Sequence, residues 1–125
     1  MLHEGTTMPS FPDDIAGRAQ ILCRWLTGQD LRLVTAESCT GSLMAGSLTA
    51  TSSSSGPLVG SFVTYRPSLK IAALGVSEAL ITERTVYDPE VARQMAQGVL
   101  ADPPEADLPL AITGVAGPGP DQGKP

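Results

Sequence analysis

The chain has 125 residues, which allows one domain with a single modest core. Hydrophobic residues make up 42% and charged residues 17%, and the formal net charge is −5, with the eight Lys and Arg scattered rather than aligned in a basic stripe. These values are typical of a soluble globular protein and argue against nucleic-acid binding. Neither a signal peptide nor a run of about eighteen apolar residues is present, so we expect no membrane span and a cytoplasmic location.

Apolar spacing, turn residues and helix caps predict helices that alternate with strands. Residues 1–12, interrupted by two prolines and a glycine, are predicted to form a disordered leader. The elements that follow are a helix from Asp13 or Asp14 to Gly28, a strand over 31–35, a helix over about 40–49, a flexible connection over 51–57, a strand over 58–65, a short helix over Pro67–Leu74, a helical turn over 78–82, a helix that Asp88 caps and Pro89 opens, a strand over 108–113 and a glycine-rich loop over 114–120.

This alternation predicts an α/β fold, with helices layered on both faces of a largely parallel sheet. A helix between two strands supplies the crossover that parallel neighbours need. Residues 13–125 are therefore predicted to form one domain. The α/β pattern by itself would also suit a small flavodoxin-like nucleotide-binding domain.

The turn after the first predicted strand, TAESCTG at residues 35–41, is the strongest local feature. It places Ser38 and a helix start at the carboxyl end of a strand, which is where open α/β sheets bind ligands. A serine hydroxyl there could attack an electrophile while the first N–H groups of the helix hold the charge that develops. Spacing alone favours a simpler role, in which Ser38 caps the helix. Cys39 is an alternative nucleophile, although a small structural residue is its more ordinary role.

A nucleophilic serine needs a base to take its proton. The only histidine, His3, lies in the predicted leader, which excludes a Ser-His-Asp triad and leaves Lys, a carboxylate or Tyr. Lys70 is the best candidate, because it follows the second predicted strand, whose end carries Tyr65. A partly buried lysine loses its charge more readily, although a solvated surface lysine is the more ordinary interpretation of a lone Lys.

The glycine-rich loop could bring backbone N–H groups close to a phosphate. It matches neither GxxxxGK[ST] nor GxGxxG, so it is neither a P-loop nor a dinucleotide fingerprint. Glycine and proline also make ordinary turns, and the loop by itself indicates no more than that.

Taken together and in order, five segments resemble the CinA C-terminal domain family, which is typified by TAESCTGG, a GFVTYSN-x-x-K segment and a TGIAGP loop. The segments are TAESCTGS at 35–42, GSFVTYRPSLK at 60–70, LGV at 74–76, VARQMAQGVL at 91–100 and AITGVAGP at 111–118. The resemblance runs from about residue 14 to the end. It implies hydrolysis of the carboxamide of nicotinamide mononucleotide to nicotinate mononucleotide and ammonia, with no cofactor or metal.

The resemblance also implies roles for individual residues. It makes Ser38 the nucleophile, Lys70 its base, and Tyr65 a residue that steadies the lysine or the substrate. The substrate-binding positions that it implies are Cys39, Thr40, Gly41, Thr113, Gly114 and Gly117. The expected partner is this small-molecule substrate, not a nucleic acid or a membrane.

The sequence departs from the family pattern in several places. Ser42 stands at the second glycine of ESCTGG, Arg66-Pro67-Ser68 replaces a Ser-Asn start, and Tyr87 replaces a serine. The family continues from Lys-Pro into a Val-Gly-Thr-Val-Trp strand, whereas this sequence ends at Lys124-Pro125. We therefore expect a domain without its last strand or strands and closing helix, whose exposed sheet edge a homodimer would shield. The alternative function is a non-catalytic remnant or nucleotide-binding module of the same family.

Overall fold

The structure, a computed structural model, describes residues 10–51, 56–101 and 103–124. These residues form five helices and three strands. In chain order they are α1 (Asp13–Gln29), β1 (Leu33–Glu37), α2 (Leu43–Thr49), β2 (Leu58–Val63), α3 (Pro67–Leu74), α4 (Glu78–Arg84), α5 (Pro89–Ala101) and β3 (Leu108–Ile112). Within these ranges no helix combines the length and the apolar character needed to cross a membrane.

The described strands form one parallel sheet in the order β2-β1-β3. The central strand β1 is buried along its whole length, as expected for a parallel strand with helices on both sides. Its last residue, Glu37, is in register with Val63 of β2 and Ile112 of β3. The carboxyl ends of all three strands therefore meet at one edge, and the prediction of a parallel α/β sheet is confirmed.

Two hydrophobic clusters cover the two faces of the sheet. On one face Val34 and Ala36 of β1 pack with residues of α3 and α5, including Leu74 and Met95. On the other face Leu33 packs with residues of α1 and α2: Ala19, Cys23, Leu26 and Leu48. Neighbouring residues of β1 thus point to opposite layers, which is the period of a strand. The result is the layered α/β/α arrangement predicted from the sequence.

A glycine fixes how closely α5 approaches the end of α3. A Cβ atom on Gly98 would lie 1.9 Å from the carbonyl oxygen of Leu74, which leaves no room for any side chain. The pattern of α5 therefore includes a glycine where a better helix former would otherwise be preferred. This contact seats α3, the helix that carries Lys70, against the core.

The bounds of β1 and α2 differ from the prediction. Strand β1 occupies 33–37 instead of 31–35, so Glu37 belongs to the strand and Ser38 begins the turn. Helix α2 starts at Leu43 instead of about residue 40, because Gly41 and Ser42 have positive φ angles of 57° and 84°. Leu43, the first residue of the shorter helix, is 63% exposed.

Helix α1 begins where it was predicted and ends slightly later. Pro12 holds the N-cap position, and Asp13 and Asp14 lie in the first turn. The helix ends past Gly28, at Gln29, because Asp30 takes the left-handed conformation that closes it. At α5 the prediction is confirmed, since Pro89 opens the helix and Asp88 accepts a hydrogen bond from the N–H of Glu90 at 2.8 Å.

Parts of the predicted leader and connection lie outside the described residues, namely 1–9 and 52–55. Of the leader, Ser10 to Pro12 are described and precede α1 without belonging to it. The ring of Phe11 lies against α2 at Gly46. This ring helps to form an apolar groove between α1 and α2, which Ile15, Leu43 and Met44 also line.

Candidate active site

A cleft of about 290 Å³ opens at the edge where the three strands end. Its walls come from the segments that follow the three strands and from the start of α3. Ser38 follows β1, Lys70 lies on α3, and Gly114 follows β3. The remaining lining residues are Tyr65, Arg66, Pro67, Val86, Tyr87, Ala116, Asp121 and Gln122. This is the edge at which parallel α/β sheets bind ligands.

Lys70 and Ser38 meet inside this cleft. The Lys70 side chain is fully buried and Ser38 is 5% exposed. Nζ of Lys70 donates to Oγ of Ser38 at 2.8 Å, to the carbonyl oxygen of Thr64 at 2.5 Å and to that of Tyr65 at 3.0 Å. Three acceptors match the three N–H bonds of an ammonium group. The two residues proposed from the sequence as nucleophile and base are therefore in direct contact.

The surroundings of Lys70 favour a change of protonation state. Burial lowers the pKa of Lys70 below its ordinary value, and the neighbouring Cys39 thiol partly opposes that shift. A neutral amine has two N–H bonds and one lone pair. With the N–H bonds directed at the carbonyls of Thr64 and Tyr65, the lone pair faces the Ser38 hydroxyl. The geometry therefore suits proton transfer from serine to lysine.

Glu37 is a residue of the site that the sequence reasoning missed. Its carboxylate is fully buried and accepts hydrogen bonds on both oxygens. Oε1 accepts from the Thr40 hydroxyl at 2.6 Å and from the N–H of Met44 at 2.9 Å, and Oε2 accepts from the N–H of Ala45 at 2.9 Å. Burial alone would raise the pKa of Glu37, but these hydrogen bonds outweigh it and the net shift is downward. The carboxylate therefore stays charged in a dry environment.

Two more hydroxyls complete the surroundings of Glu37. Oγ1 of Thr35 lies 3.0 Å and Oγ of Ser61 lies 3.1 Å from Oε2, and the two hydroxyl oxygens are 2.6 Å apart. Strands β1 and β2 and the first turn of α2 are thereby joined through one carboxylate. The sequence has one signal for this contact: Thr40 follows Glu37 by three residues, and the two side chains pair.

The Glu37 contacts correct two hypotheses about Ser38. Ser38 does not cap α2, because Ser42 holds the N-cap position without a side-chain bond and Glu37 accepts from the first-turn N–H groups. For the same reason those N–H groups are not free to hold an oxyanion. The strand ends two residues later than predicted, so the acid, rather than the serine, reaches the helix start.

The other predicted substrate-binding residues have separate positions. Among them only Gly114 lines the cleft, and a Cβ atom on it would lie 3.4 Å from Sγ of Cys39. The Thr40 hydroxyl points to Glu37, while Gly41 supplies a positive φ of 57° to the turn. Thr113 donates its hydroxyl to the carbonyl of Val86 at 3.2 Å. Substrate binding by these residues stays a prediction.

The positions of Gly117 and Tyr65 differ from those that their predicted roles would require. Gly117 has a φ of 82° in the glycine-rich loop and does not line the cleft. Tyr65 does line it, but the atom that contacts Lys70 is its carbonyl oxygen, and the side chain is 62% exposed. The phenol therefore stands at the mouth of the cleft, where it is open to a ligand.

The departures from the family pattern fall in and beside the cleft. Pro67 is the first residue of α3, a position that suits proline, so it does not disturb the helix that carries Lys70. The Tyr87 hydroxyl donates to Oδ2 of Asp121 at 2.5 Å, and this bond raises the pKa of Tyr87. In the part of the chain that the structure describes, no three His, Cys, Asp or Glu side chains form a cluster able to hold a metal ion.

The fold and the cleft together define an α/β protein with a buried serine–lysine pair at the carboxyl edge of a parallel sheet. The model of the CinA C-terminal domain matches residues 16–125. The chain belongs to this family.

Curated relatives include the CinA-like protein of Desulfotalea psychrophila, 43% identical over 81% of this chain and 24% of that protein. The CinA-like protein of Geobacter metallireducens is 47% identical over 74% of this chain and 22% of that protein. The chain thus spans about a quarter of the length of these curated relatives.

Among solved structures, the competence/damage inducible protein CihA from Agrobacterium tumefaciens is similar over 94% of this chain and 72% of that one, with a TM-score of 0.87 and 39% identity. A CinA superfamily protein from Escherichia coli gives a TM-score of 0.83 and 32% identity, over 100% of this chain and 74% of that one.

Proposed function

We propose that the protein hydrolyses the carboxamide of nicotinamide mononucleotide, giving nicotinate mononucleotide and ammonia. One observation carries the proposal: the buried Nζ of Lys70 lies 2.8 Å from Oγ of Ser38 in a cleft at the ligand-binding edge of the sheet. A serine hydroxyl is a weak nucleophile until a neighbouring base takes its proton. Membership of a family that includes amidohydrolases supports the same reaction type.

The proposed reaction begins with neutral Lys70. Oγ of Ser38 attacks the carboxamide carbon while Nζ of Lys70 takes the hydroxyl proton, giving a tetrahedral intermediate. The C–N bond then breaks, and the lysine ammonium returns its proton to the departing nitrogen, which leaves as ammonia. The acyl ester on Ser38 is attacked by water, whose proton goes to Lys70. Collapse of the second intermediate returns this proton to Ser38 and releases the carboxylic acid, which loses its remaining proton to solvent as the carboxylate.

The negative charge of the tetrahedral intermediates needs hydrogen-bond donors near Ser38. The first N–H groups of α2 are bonded to Glu37, so the donors must lie elsewhere. The backbone N–H groups of Cys39 and Thr40 follow the nucleophile directly. Within the described residues neither N–H is paired with an acceptor, which makes these two groups the candidate donors.

Ammonia release from nicotinamide mononucleotide by the purified full chain tests the proposal. We expect turnover by the natural sequence and none above background for Ser38→Ala. Ser47→Ala is the matched control, because Ser47 is also a buried serine but lies on α2 outside the cleft. Unchanged turnover in Ser38→Ala would contradict the proposed nucleophile. Binding of the nucleotide without ammonia release would indicate the alternative, a binding module of the same family.

A further inference from the structure

Two fixed charges of opposite sign line the cleft in addition to Lys70. Arg66 precedes α3 and Asp121 follows the glycine-rich loop, so the two charges come from different segments. Neither lies at a position for which the family resemblance implies a role. Because a charge beside a ligand site selects ligands of the opposite charge, both affect which molecules the cleft accepts.

The carboxylate of Asp121 is held by a tight turn. The N–H of Asp121 donates to the carbonyl of Lys124 at 3.0 Å, and the N–H of Lys124 donates back at 2.9 Å. Between them Gln122 and Gly123 have φ angles of 51° and 74°, and two positive φ angles in succession are the mark of a type I′ turn. The backbone therefore presents Asp121 at a defined place in the cleft wall.

Tyr87 holds the same carboxylate through its side chain. The phenol hydroxyl donates to Oδ2 of Asp121 at 2.5 Å, which leaves Oδ1 with no partner among the described residues. A serine, the residue typical of the family here, has a much shorter side chain than tyrosine and would not reach as far. The Tyr87–Asp121 pair is thus a product of a departure that distinguishes this chain from the family pattern.

We propose that the Tyr87–Asp121 pair is a specificity element that binds the positive charge of an N-substituted pyridinium ring. The cleft then takes N-substituted nicotinamides, whose ring is cationic, in preference to nicotinamide itself, whose ring is neutral. This inference rests on the proposed function, since it concerns which carboxamides reach Ser38. It adds that the cleft distinguishes these carboxamides by the charge of their ring.

Two physical effects support the preference. The carboxylate of Asp121 attracts a cation directly, and its free oxygen is available for that contact. The aromatic rings of Tyr65 and Tyr87 also line the cleft, and aromatic faces attract cations. Arg66 adds a positive charge in another wall, which suits an anionic phosphate on the same ligand. A molecule with a cationic ring and an anionic tail therefore meets complementary charges.

A simpler role for the pair is to tie the loop to the segment before α5. Two variants separate the two roles. Asp121→Asn keeps an oxygen that can accept from the Tyr87 hydroxyl but removes the charge. Tyr87→Phe removes the hydrogen bond but keeps the charge. If the pair selects ligands by charge, Asp121→Asn lowers the preference for the cation and Tyr87→Phe keeps the Asp121 contribution. If the pair only links the loop to the segment before α5, Asp121→Asn leaves that link intact and Tyr87→Phe breaks it.

The test compares binding of 1-methylnicotinamide, a cation, with binding of nicotinamide to the full chain, by NMR titration. We expect the natural sequence to bind the cation about 2- to 5-fold more tightly, the range for a cation at a partly exposed site. Asp121→Asn should show a smaller preference, because only the attraction of the cation to the Tyr65 and Tyr87 rings remains. Asp14→Asn, which makes the same change in net charge on α1, should keep the preference. An intact preference in Asp121→Asn, or none in the natural sequence, would overturn the inference.

The outcome is independent of turnover. If the protein prefers the cation but releases no ammonia from nicotinamide mononucleotide, the amidase proposal is contradicted and the proposed role of the Tyr87–Asp121 pair is supported. A protein that releases ammonia but shows no preference contradicts only the pair. No measurable binding of 1-methylnicotinamide also counts against the pair.

Discussion

Two ionisable side chains are buried near the end of β1, and they are buried in different ways. Glu37 is surrounded by N–H and hydroxyl groups, and hydrogen bonds from Thr40, Ala45, Met44 and Thr35 stabilise its charge. Lys70 has two carbonyls and one hydroxyl around it, and the hydroxyl belongs to Ser38. The pKa of both groups is lowered, but the consequences are opposite: the carboxyl keeps its charge and the amine loses it more readily. The first environment joins strands and helix through a charged group, and the second favours a neutral amine beside Ser38.

The largest expected effect is on turnover when the base is removed. Lys70→Met keeps the length of the side chain but has no lone pair to take the Ser38 proton. We expect ammonia release to fall by about 10³-fold, the scale of a lost general base, with a much smaller change in KM. The control is Lys124→Met, because Lys124 is the other lysine of the chain and is exposed. Equal losses in the two variants would argue against a special role for Lys70.

The next effect is on stability when the buried carboxylate is removed. Glu37→Ala leaves the N–H groups of Met44 and Ala45 and the Thr40 hydroxyl without their acceptor. We expect the free energy of unfolding to fall by about 2–4 kcal/mol, because buried unpaired donors cost about 1–3 kcal/mol each. Denaturant unfolding measures this change. Glu83→Ala, at an exposed position on α4, is the control and should change stability by less than about 0.5 kcal/mol.

These two side chains predict that stability rises with pH in two separate windows, an acidic one for Glu37 and a basic one for Lys70. The folded-state pKa of Glu37 lies below its ordinary value of 4.5, so its contribution is present above that pH and is lost as pH falls through the folded pKa. The folded-state pKa of Lys70 lies below 10.5, so the folded state binds fewer protons between the two values. Stability therefore gains from Lys70 as pH rises through that window.

Thermal melts of the natural sequence and of Lys70→Met across pH 7 to 10.5 measure the lysine part. We expect the stability of the natural sequence to rise relative to the variant as pH rises towards 10.5. A difference that stays constant over the whole range would show that burial does not shift the pKa of Lys70.

The smallest expected effect is on stability, at Ser42, the N-cap residue of α2. Its φ of 84° is strained for any residue with a Cβ atom, and the family pattern has glycine there. Ser42→Gly should raise the free energy of unfolding by about 1 kcal/mol, since left-handed backbone costs about 1–3 kcal/mol in non-glycine residues and glycine is more flexible when unfolded. Ser68→Gly in α3 is the contrast, because its backbone is helical and the change should destabilise. If Ser42→Gly is less stable than the natural sequence, the backbone at Ser42 is not strained.

The sequence predicts the layers and the parallel sheet because helical and strand periodicities are local and strong. β1 and α5, for example, have the type and the approximate place that were predicted. The order β2-β1-β3 depends on pairing between distant segments, which periodicity does not encode. The predicted start of α2 was too early, because Gly41 and Ser42 take left-handed conformations that precede the helix. The hydrogen bonds from Met44 and Ala45 to Glu37 mark where the helix begins.

The candidate site could be predicted only in part. Ser38 and Lys70 were selected with the help of the family resemblance, since each has a more ordinary role when taken alone. Glu37 was missed because a charged residue is seldom buried, and a strand boundary two residues too early placed it in the turn. The Tyr87–Asp121 contact joins residues 34 positions apart in two loops, for which the sequence has no periodic signal.

The central claim is that a buried, readily neutralised Lys70 faces Ser38. NMR of the full chain with ¹⁵N-labelled lysine tests it most directly, because the chain has only two lysines and Lys124→Arg assigns their signals. The Lys70 amine should titrate below the ordinary lysine value of 10.5, and ammonia release should rise with pH through the same transition. A Lys70 signal that titrates at the ordinary value, with activity that does not follow it, would contradict the account.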